Sequence, residues 1–475
     1  MKKIELFFIP SPLMGHAGQL IELAQLFVKT FNHITATVLV MKLPGDTIST
    51  NYTDSFTDHT RIKFIHFPPM DLDLFQDCPT IGFTADAVIN CHKPIIRELV
   101  ASRLTRPGPF EPNGPDSVPK LGALVVDMFC TPMIDVAKEF NLPTYVFFSS
   151  NAAFLGIMFY FQTLQDELGQ DIHELSHSSS ELLVPSYANP VSPSIVPIVL
   201  SDRDQWSKRF IRYTRKYREA KGIIVNTFLE LEHHALHSFD DNTPPVYTVG
   251  PLIKPEKPKP KDEVLDWLKG QPKSSVLLLC FGSRGWFGVD QVREIAVALE
   301  RSGCRFIWSL RRPSPEEHKG FPRDYTDYSE VLPDGFLERT DGKGKVVGWV
   351  PQAEVLADVA TGGFVSHCGW NSILESLWYG VPIVTWPIYA EQQLDAFQMV
   401  KDLGLAVEIS LDYNQMSKSQ KLVPAETIEK GIREVMDRDS VVLAKVKEMS
   451  AKSRMAREEG GSSYMSLRRL VDNIM

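Results

Sequence analysis

Residues Gly363 to Gly380, GFVSHCGWNSILESLWYG, continue into Val381 to Gln393, VPIVTWPIYAEQQ, and this stretch decides how the chain is read. Gly363–Ser366 is a short apolar run with the look of a buried strand. The His367-Cys368-Gly369 turn ends it, and Asn371–Tyr379 carries apolar residues at helical spacing. Ile383–Trp386 then begins a second unit, with a helix expected over Gln392–Leu403. A helix start placed directly after a strand presents unpaired N–H groups and the positive end of the helix dipole, which suits a phosphate. Asn371 and Ser372 add side-chain donors there, and His367 adds a hydrogen bond or a charge. Glu375 lies four residues after Asn371 on the same helix face, where a carboxylate accepts two hydroxyls of a ribose. Ser372-Ile373-Leu374-Glu375 also has the spacing of a capping box, which needs no ligand. His367-Cys368 also reads as core. Trp349 reads either as buried packing or as a stacking platform for a base, a contact of roughly 1–3 kcal/mol. The density of polar groups at strand ends from Trp349 to Gln392 tilts the reading toward a ligand.

The same alternation runs outward through the chain. Glu5–Ile9, Thr35–Met41, Lys63–Phe67, Leu121–Phe129, Thr144–Ser149 and Gly222–Thr227 are strand candidates, most followed by helical pattern such as Met133–Phe140. Near-continuous apolar strands alternating with helices predict a parallel sheet covered on both faces. Pro255 to Lys261, PEKPKPK, interrupts the pattern as an extended connector. Beyond it, Ser275–Phe281, a helix Gln291–Arg301, Arg305–Leu310 and Lys345–Val350 resume the pattern, with a long surface loop expected at 312–335. The organisation is an α/β chain in four parts: a domain at 1–250, a linker at 251–262, a domain at 263–455 and a terminal helix at 456–475 packing back on the first domain. Two such domains bind ligands in the cleft at the carboxyl ends of their strands.

Composition narrows the function classes. The chain has 475 residues, 43% hydrophobic and 23% charged, with a net charge of −9. These are globular values, and no basic face for nucleic acid is indicated. Six cysteines without a CxxC pair point to buried thiols and a reducing compartment. The longest apolar stretch, Ala152–Phe161, is about half the ~20 residues of a membrane span. Glu5 and Pro10 interrupt any signal-peptide core, so a cytoplasmic protein is expected and the sequon at Asn51 carries no weight.

The segment from Trp349 to Gln392 closely resembles the signature box of plant family-1 UDP-sugar-dependent glycosyltransferases. Trp349-Val350-Pro351-Gln352, His367 to Glu375, Gly380-Val381-Pro382, Trp386-Pro387 and Glu391-Gln392 each match. The likeness extends to Phe281-Gly282-Ser283 and to Pro12 through His16. It implies two Rossmann-like domains facing across a cleft (GT-B type). It also implies that Trp349 stacks on uracil, while the backbone at Val350 and the side chain of Gln352 hold the base edge. Glu375 would bind ribose, and His367, Asn371, Ser372 and Ser283 the diphosphate. Trp370, Glu391 and Gln392 would bind the sugar, glucose being the usual donor with that Gln, and Ser149 matches a position that reaches the sugar from the other domain.

His16, before the first long helix, carries an imidazole whose ordinary pKa near ~6.5 suits proton acceptance at neutral pH. Asp127 ends an apolar strand, where a carboxylate is costly without a partner, and His16 is a partner that makes sense. A loop histidine and a helix cap before Thr131 are the plain alternatives; the resemblance makes the two residues a catalytic dyad. Asp71-Leu72-Asp73 reads as a solvated DxD rather than a metal site, and the His233, His234 and His237 group lacks a third-ligand cluster. Asp358, Pro132 and Asp395 depart from the family pattern, Asp358 being expected on the outer part of a helix. Arg284 leaves donor choice open.

The expected activity is an inverting O-glucosyl transfer from UDP-glucose to a small hydrophobic alcohol such as a plant phenolic, without metal or cofactor, by a monomer. Met14, Phe148, Phe154 and Tyr389 are candidate acceptor contacts. A nucleotide-dependent oxidoreductase and a non-catalytic UDP-sugar binder are the alternatives.

Overall fold

The computed structural model describes residues 3–44, 60–68, 70–78, 80–105, 119–175, 180–196, 206–253, 262–314, 322–415, 417 and 421–475. The Pro-rich segment Pro255–Lys261 and the sequon at Asn51 lie outside the described residues.

Seven parallel strands form the first sheet, in the order β3-β2-β1-β4-β5-β6-β7. They are β1 (Ile4–Ile9), β2 (Ile34–Val40), β3 (Ile62–His66), β4 (Lys120–Asp127), β5 (Thr144–Phe148), β6 (Gly222–Val225) and β7 (Val246–Thr248). Within β1 the period of two assigns Phe7 and Ile9 to one core and Leu6 and Phe8 to the other. Both faces are covered, which is why the strand is apolar apart from Glu5, whose buried carboxylate accepts the Thr37 hydroxyl at 2.6 Å.

The second sheet repeats the plan in the order β12-β9-β8-β13-β14-β15. Its strands are β8 (Val276–Cys280), β9 (Arg305–Ser309), β12 (Gly344–Val347), β13 (Thr361–Ser366), β14 (Ile383–Thr385) and β15 (Ala406–Glu408). Leu277 and Leu279 of β8 face one core, Val276 and Leu278 the other. The expected surface loop at 312–335 is not structureless where it is described: Arg311–Arg312 and Arg323–Asp324 pair as an antiparallel two-strand ribbon, β10 and β11. The helix expected over Gln392–Leu403 is α-helical only from Gln392 to Phe397 and widens into a π-helical turn at Gln398–Asp402. No helix among the described residues is long and apolar enough to cross a membrane.

The tail closes the molecule. The helix Val441–Arg457 lies along the helix Trp370–Tyr379, with Ser450 Oγ donating to the Trp378 carbonyl at 2.9 Å and the Arg454 guanidinium 4.5 Å from the Trp378 ring centroid. The last helix, Ser462–Ile474, then inserts Leu467, Leu470 and Val471 into the core of the first sheet beside Leu6 and Phe8. Its polar ends are anchored too: Ser463 Oγ donates to the Gly250 carbonyl at 2.6 Å, and Asn473 Nδ2 donates to Tyr247 Oη at 2.7 Å. Leu470→Ala is therefore expected to cost about 2–5 kcal/mol, the range for a buried leucine, read as a fall in the urea midpoint. A change within about 0.5 kcal/mol, typical of surface positions, would make the helix an ornament of the first sheet.

Candidate active site

Three neighbouring strand ends of the first sheet converge on one imidazole. The helix after β1 begins at Met14, so His16 stands in its first turn and not in the preceding loop as the sequence suggested. Asp127, the last residue of β4, is fully buried; its Oδ1 accepts the Phe129 backbone N–H at 3.0 Å and its Oδ2 lies 3.1 Å from His16 Nδ1. Ser149, one residue past β5, places its Oγ 3.0 Å from the same Nδ1. Because β1, β4 and β5 are consecutive in the sheet, these residues meet although more than a hundred positions separate the first from the others. The histidine side chain keeps 26% of its surface exposed, and the Phe129 ring stands 4.9 Å from its own, centroid to centroid. Burial pulls the His16 pKa down, but the charge and hydrogen bond of Asp127, with Glu391 across the cleft, more than offset it and hold the pKa above the ordinary value. Asp127 is thus paired, and the cap alternative fails: Thr131, not Asp127, stands at the helix start, with Pro132 as its first residue.

The second sheet supplies the opposite wall. The helix Trp370–Tyr379 starts directly after the β13 turn, with Gly369 at its N-cap and no side chain capping it. Ser372 and Glu375 sit inside this helix, so the capping-box reading does not hold; the first-turn N–H groups are left for a ligand. Asn371 Oδ1 and His367 Nδ1 are buried without a partner among the described residues, which leaves both able to bond a ligand. Gly282 (φ +72°), past β8, and Gly369 both press against this ring; a Cβ on either would stand 2.7 Å from His367 Nε2. Burial lowers the His367 pKa to about 4, which corrects the expectation of a charge: the ring is neutral at physiological pH. Ser283, next to Gly282, is exposed. Two non-glycine residues, Cys368 (φ 61°) and Ala390 (φ 58°), hold left-handed backbone at the two turns that aim this wall.

Trp349 is 59% exposed, which rejects the core reading for it. The Arg311 guanidinium of β10 stands 5.7 Å from its ring centroid and pairs with Asp324 of β11 at 3.0 Å, so the small ribbon supports the indole. Val350 turns its side chain into the core, leaving its backbone for recognition. Gln352 Nε2 donates to Ser372 Oγ at 3.0 Å and to Glu375 Oε2 at 2.6 Å, tying three expected ligand groups together.

Other expectations need correction. Trp370 is 3% exposed and its indole N–H donates to the Asn226 carbonyl at 2.7 Å, so the side chain bolts the two halves together and only its backbone remains for a sugar. Gln392 is buried and its Oε1 accepts the Ile388 and Tyr389 backbone N–H groups at 2.9 and 3.0 Å; that oxygen shapes the turn instead of facing a sugar. Glu391 occupies the partly exposed position before it and is felt by His16. Phe148 and Phe154 are core residues whose rings lie tilted against one another, 6.0 Å centroid to centroid. Tyr389 is partly buried and senses Arg284. The Met14 side chain lies outside the described residues. Asp358 closes the helix Gln352–Ala357 instead of lying along it. His233 and His237 stack at 4.0 Å, and among the described residues no group of three or more His, Cys, Asp or Glu is placed to hold a metal.

Sequence reasoning missed the joint between the halves. Asn151 Nδ2 donates to Asp395 Oδ1 at 2.8 Å and to Gln398 Oε1 at 3.0 Å, and Gln398 Nε2 donates to Glu232 Oε1 at 3.0 Å. Glu232 in turn accepts the Ala152 and Ala153 N–H groups at the start of the helix Ala152–Asp166. No periodicity signals such a joint.

Two parallel sheets facing across a cleft, a phosphate-competent helix start on one wall and a His–Asp pair on the other, define a two-domain transferase for a nucleotide-linked group. Residues 216–442 match the family described as "UDP-glucoronosyl and UDP-glucosyl transferase". UDP-glycosyltransferase 71A15 of Malus domestica is 50% identical, covering 99% of each chain. UDP-glucose flavonoid 3-O-glucosyltransferase 6 of Fragaria ananassa is 47% identical, over 100% of this chain and 99% of its own. Among solved structures, a transferase from Siraitia grosvenorii in complex with UDP superposes with a TM-score of 0.88 at 43% identity over 100% of both chains. Medicago truncatula UGT71G1 complexed with UDP-glucose gives 0.85 at 38% identity, over 100% of this chain and 98% of that one. The chain belongs to the plant family-1 UDP-glycosyltransferases: it is a GT-B enzyme that transfers a glycosyl group from a UDP-sugar, which sets aside the oxidoreductase alternative.

Asp395 offers a stability test. Burial, with Glu391 and Glu232 nearby, holds its pKa well above the usual carboxylate range. A raised folded-state pKa means that its contribution is intact below the unfolded value of about 3.9 and is lost as pH rises toward the folded value. Asp395→Asn should therefore gain on the parent as pH rises through that window, by at most about 1.4 kcal/mol per pH unit. Urea midpoints at several pH values measure this, and a pH-independent difference would contradict a neutral Asp395.

Proposed function

We propose that the enzyme moves glucose from UDP-glucose to a hydroxyl of a small hydrophobic acceptor, such as a plant phenolic, flavonoid or terpenoid, with inversion at the anomeric carbon. The observation that carries this reading is the pairing of His16 Nδ1 with Asp127 Oδ2 at 3.1 Å, opposite an uncapped helix start. Nδ1 faces the carboxylate, so Nε2 is the nitrogen turned to the acceptor. It takes the acceptor hydroxyl proton as that oxygen forms its bond to C1 of the glucose. The C1–O bond to the β-phosphate breaks, and its electron pair leaves with UDP on the opposite side. Asp127 stabilises the imidazolium that forms. Charge growing on the diphosphate meets the N–H groups and dipole at Trp370–Ser372, with His367, Asn371 and Ser283 close by. Trp349 stacks on uracil, Val350 and Gln352 hold its edge, Glu375 takes the ribose hydroxyls and Glu391 the glucose. The similarity of this chain to structures holding UDP and UDP-glucose supports the donor. No metal or cofactor enters this scheme, and it operates in a cytoplasmic monomer.

Incubation with UDP-glucose and a panel of phenols should yield a β-glucoside whose formation EDTA leaves unchanged. An α-linked product or loss with EDTA would refute the mechanism. His16→Ala should lower kcat by about 10²–10⁴-fold, the usual share of a general base, while UDP still binds. Because the His16 pKa is held above 6.5 by Asp127 and Glu391 against burial, kcat/KM should fall as pH drops through a value above 6.5, where the base becomes protonated. Asp127→Asn should move that limb to lower pH, and an unmoved limb would separate Asp127 from His16.

A further inference from the structure

Ser149 matches a family position that reaches the donor sugar, yet here its hydroxyl is turned to the imidazole. His16 Nδ1 lies 3.1 Å from Asp127 Oδ2 and 3.0 Å from Ser149 Oγ. A carboxylate facing a bare nitrogen lone pair is repulsive, so Nδ1 carries the proton. Ser149 then offers a lone pair to that N–H, and its own O–H needs another acceptor. The structure supplies one: Ser149 Oγ donates to Met128 Sδ at 3.6 Å. Met128 is buried and directly follows Asp127, so the three partners of this small network are built from the adjoining ends of β4 and β5.

We propose that Ser149 is a positioning residue for the transfer, sharing the His16 Nδ1 proton with Asp127 and so holding the ring in the tautomer that leaves Nε2 ready to accept. This inference rests on His16 being the base. It assigns the Ser149 Oγ lone pair to the His16 N–H. Its effect should therefore appear in kcat and in the ionisation of His16, not in donor affinity. The charged groups facing the ring are Asp127 from β4 and Glu391 from the turn before the helix Gln392–Phe397. A serine lone pair bonds more strongly to the imidazolium N–H than to the neutral one, so removing it lowers the pKa of the ring.

Steady-state kinetics over pH on full-length Ser149→Ala, Ser149→Cys, Ser149→Thr and His16→Ala, with UDP-glucose and one accepted phenol, test this. For Ser149→Ala and Ser149→Cys, kcat should fall about tenfold, with KM for UDP-glucose within about twofold and the acid limb displaced to lower pH. Ser149→Thr, which keeps the hydroxyl, should restore most of kcat. In ¹⁵N-histidine spectra the His16 signals should shift from a single Nδ1–H tautomer toward an average in Ser149→Ala. Parental kcat with an unmoved limb, or a loss confined to KM for UDP-glucose, would overturn the inference. Turnover retained by His16→Ala would instead overturn the base assignment, so the two failures are told apart.

Discussion

A carboxylate at the end of a strand buried on both faces has to find partners, and the Asp127 carboxylate shapes the wall around His16 by doing so. It is fully buried, and an unpaired charge there would cost several kcal/mol. One oxygen takes the Phe129 N–H; the other takes His16. Satisfying Asp127 therefore fixes the ring orientation and, through it, which nitrogen faces the cleft. The strand order does the rest. With β4 between β1 and β5, the helix after β1 delivers His16 from one side and the β5 end delivers Ser149 from the other.

The opposite wall presents an uncapped helix start beside a histidine that carries no charge. His367 is neutral, enclosed by Gly282 and Gly369, and set against a helix start whose N–H groups are uncapped. A chain with a net charge of −9 can hold a diphosphate this way, because oriented dipoles act over a few ångströms while net charge acts through screened solvent. The two walls are joined by the buried set Asn151, Asp395, Gln398 and Glu232 and by the Trp370–Asn226 bond. Within this joint Asn151 lies two residues from Ser149 and Asp395 three from Gln392, so part of what places the domains also borders the site.

The elements were legible because apolar periodicity reports burial directly. The strand read at Thr35–Met41 occupies Ile34–Val40, and the helix read at Asn371–Tyr379 occupies Trp370–Tyr379. The failures share one cause. Phe148, Phe154 and Trp370 stand next to the site in the chain, and so does the Gln392 oxygen, but side-chain direction from a strand end or helix turn depends on what packs against it. Phe148 and Phe154 found each other, Trp370 found Asn226, and Gln392 found the backbone of its own turn. The ribbon of β10 and β11 beneath Trp349 was hidden because its strands are two residues long and carry charge, not alternation.

Taken by itself, the sequence determined the two-sheet α/β plan, the family, and the identities of the groups around the cleft, since periodicity and a contiguous motif are local properties of the chain. Tertiary structure alone decided which atoms of those groups are taken up by protein partners. It set His16 Nδ1 against both Asp127 and Ser149, made His367 neutral by burial, and turned Trp370 and Asp395 into fasteners between the halves. These outcomes depend on hydrogen-bond partners more than a hundred residues away and on desolvation, and neither is encoded in any window of neighbouring residues.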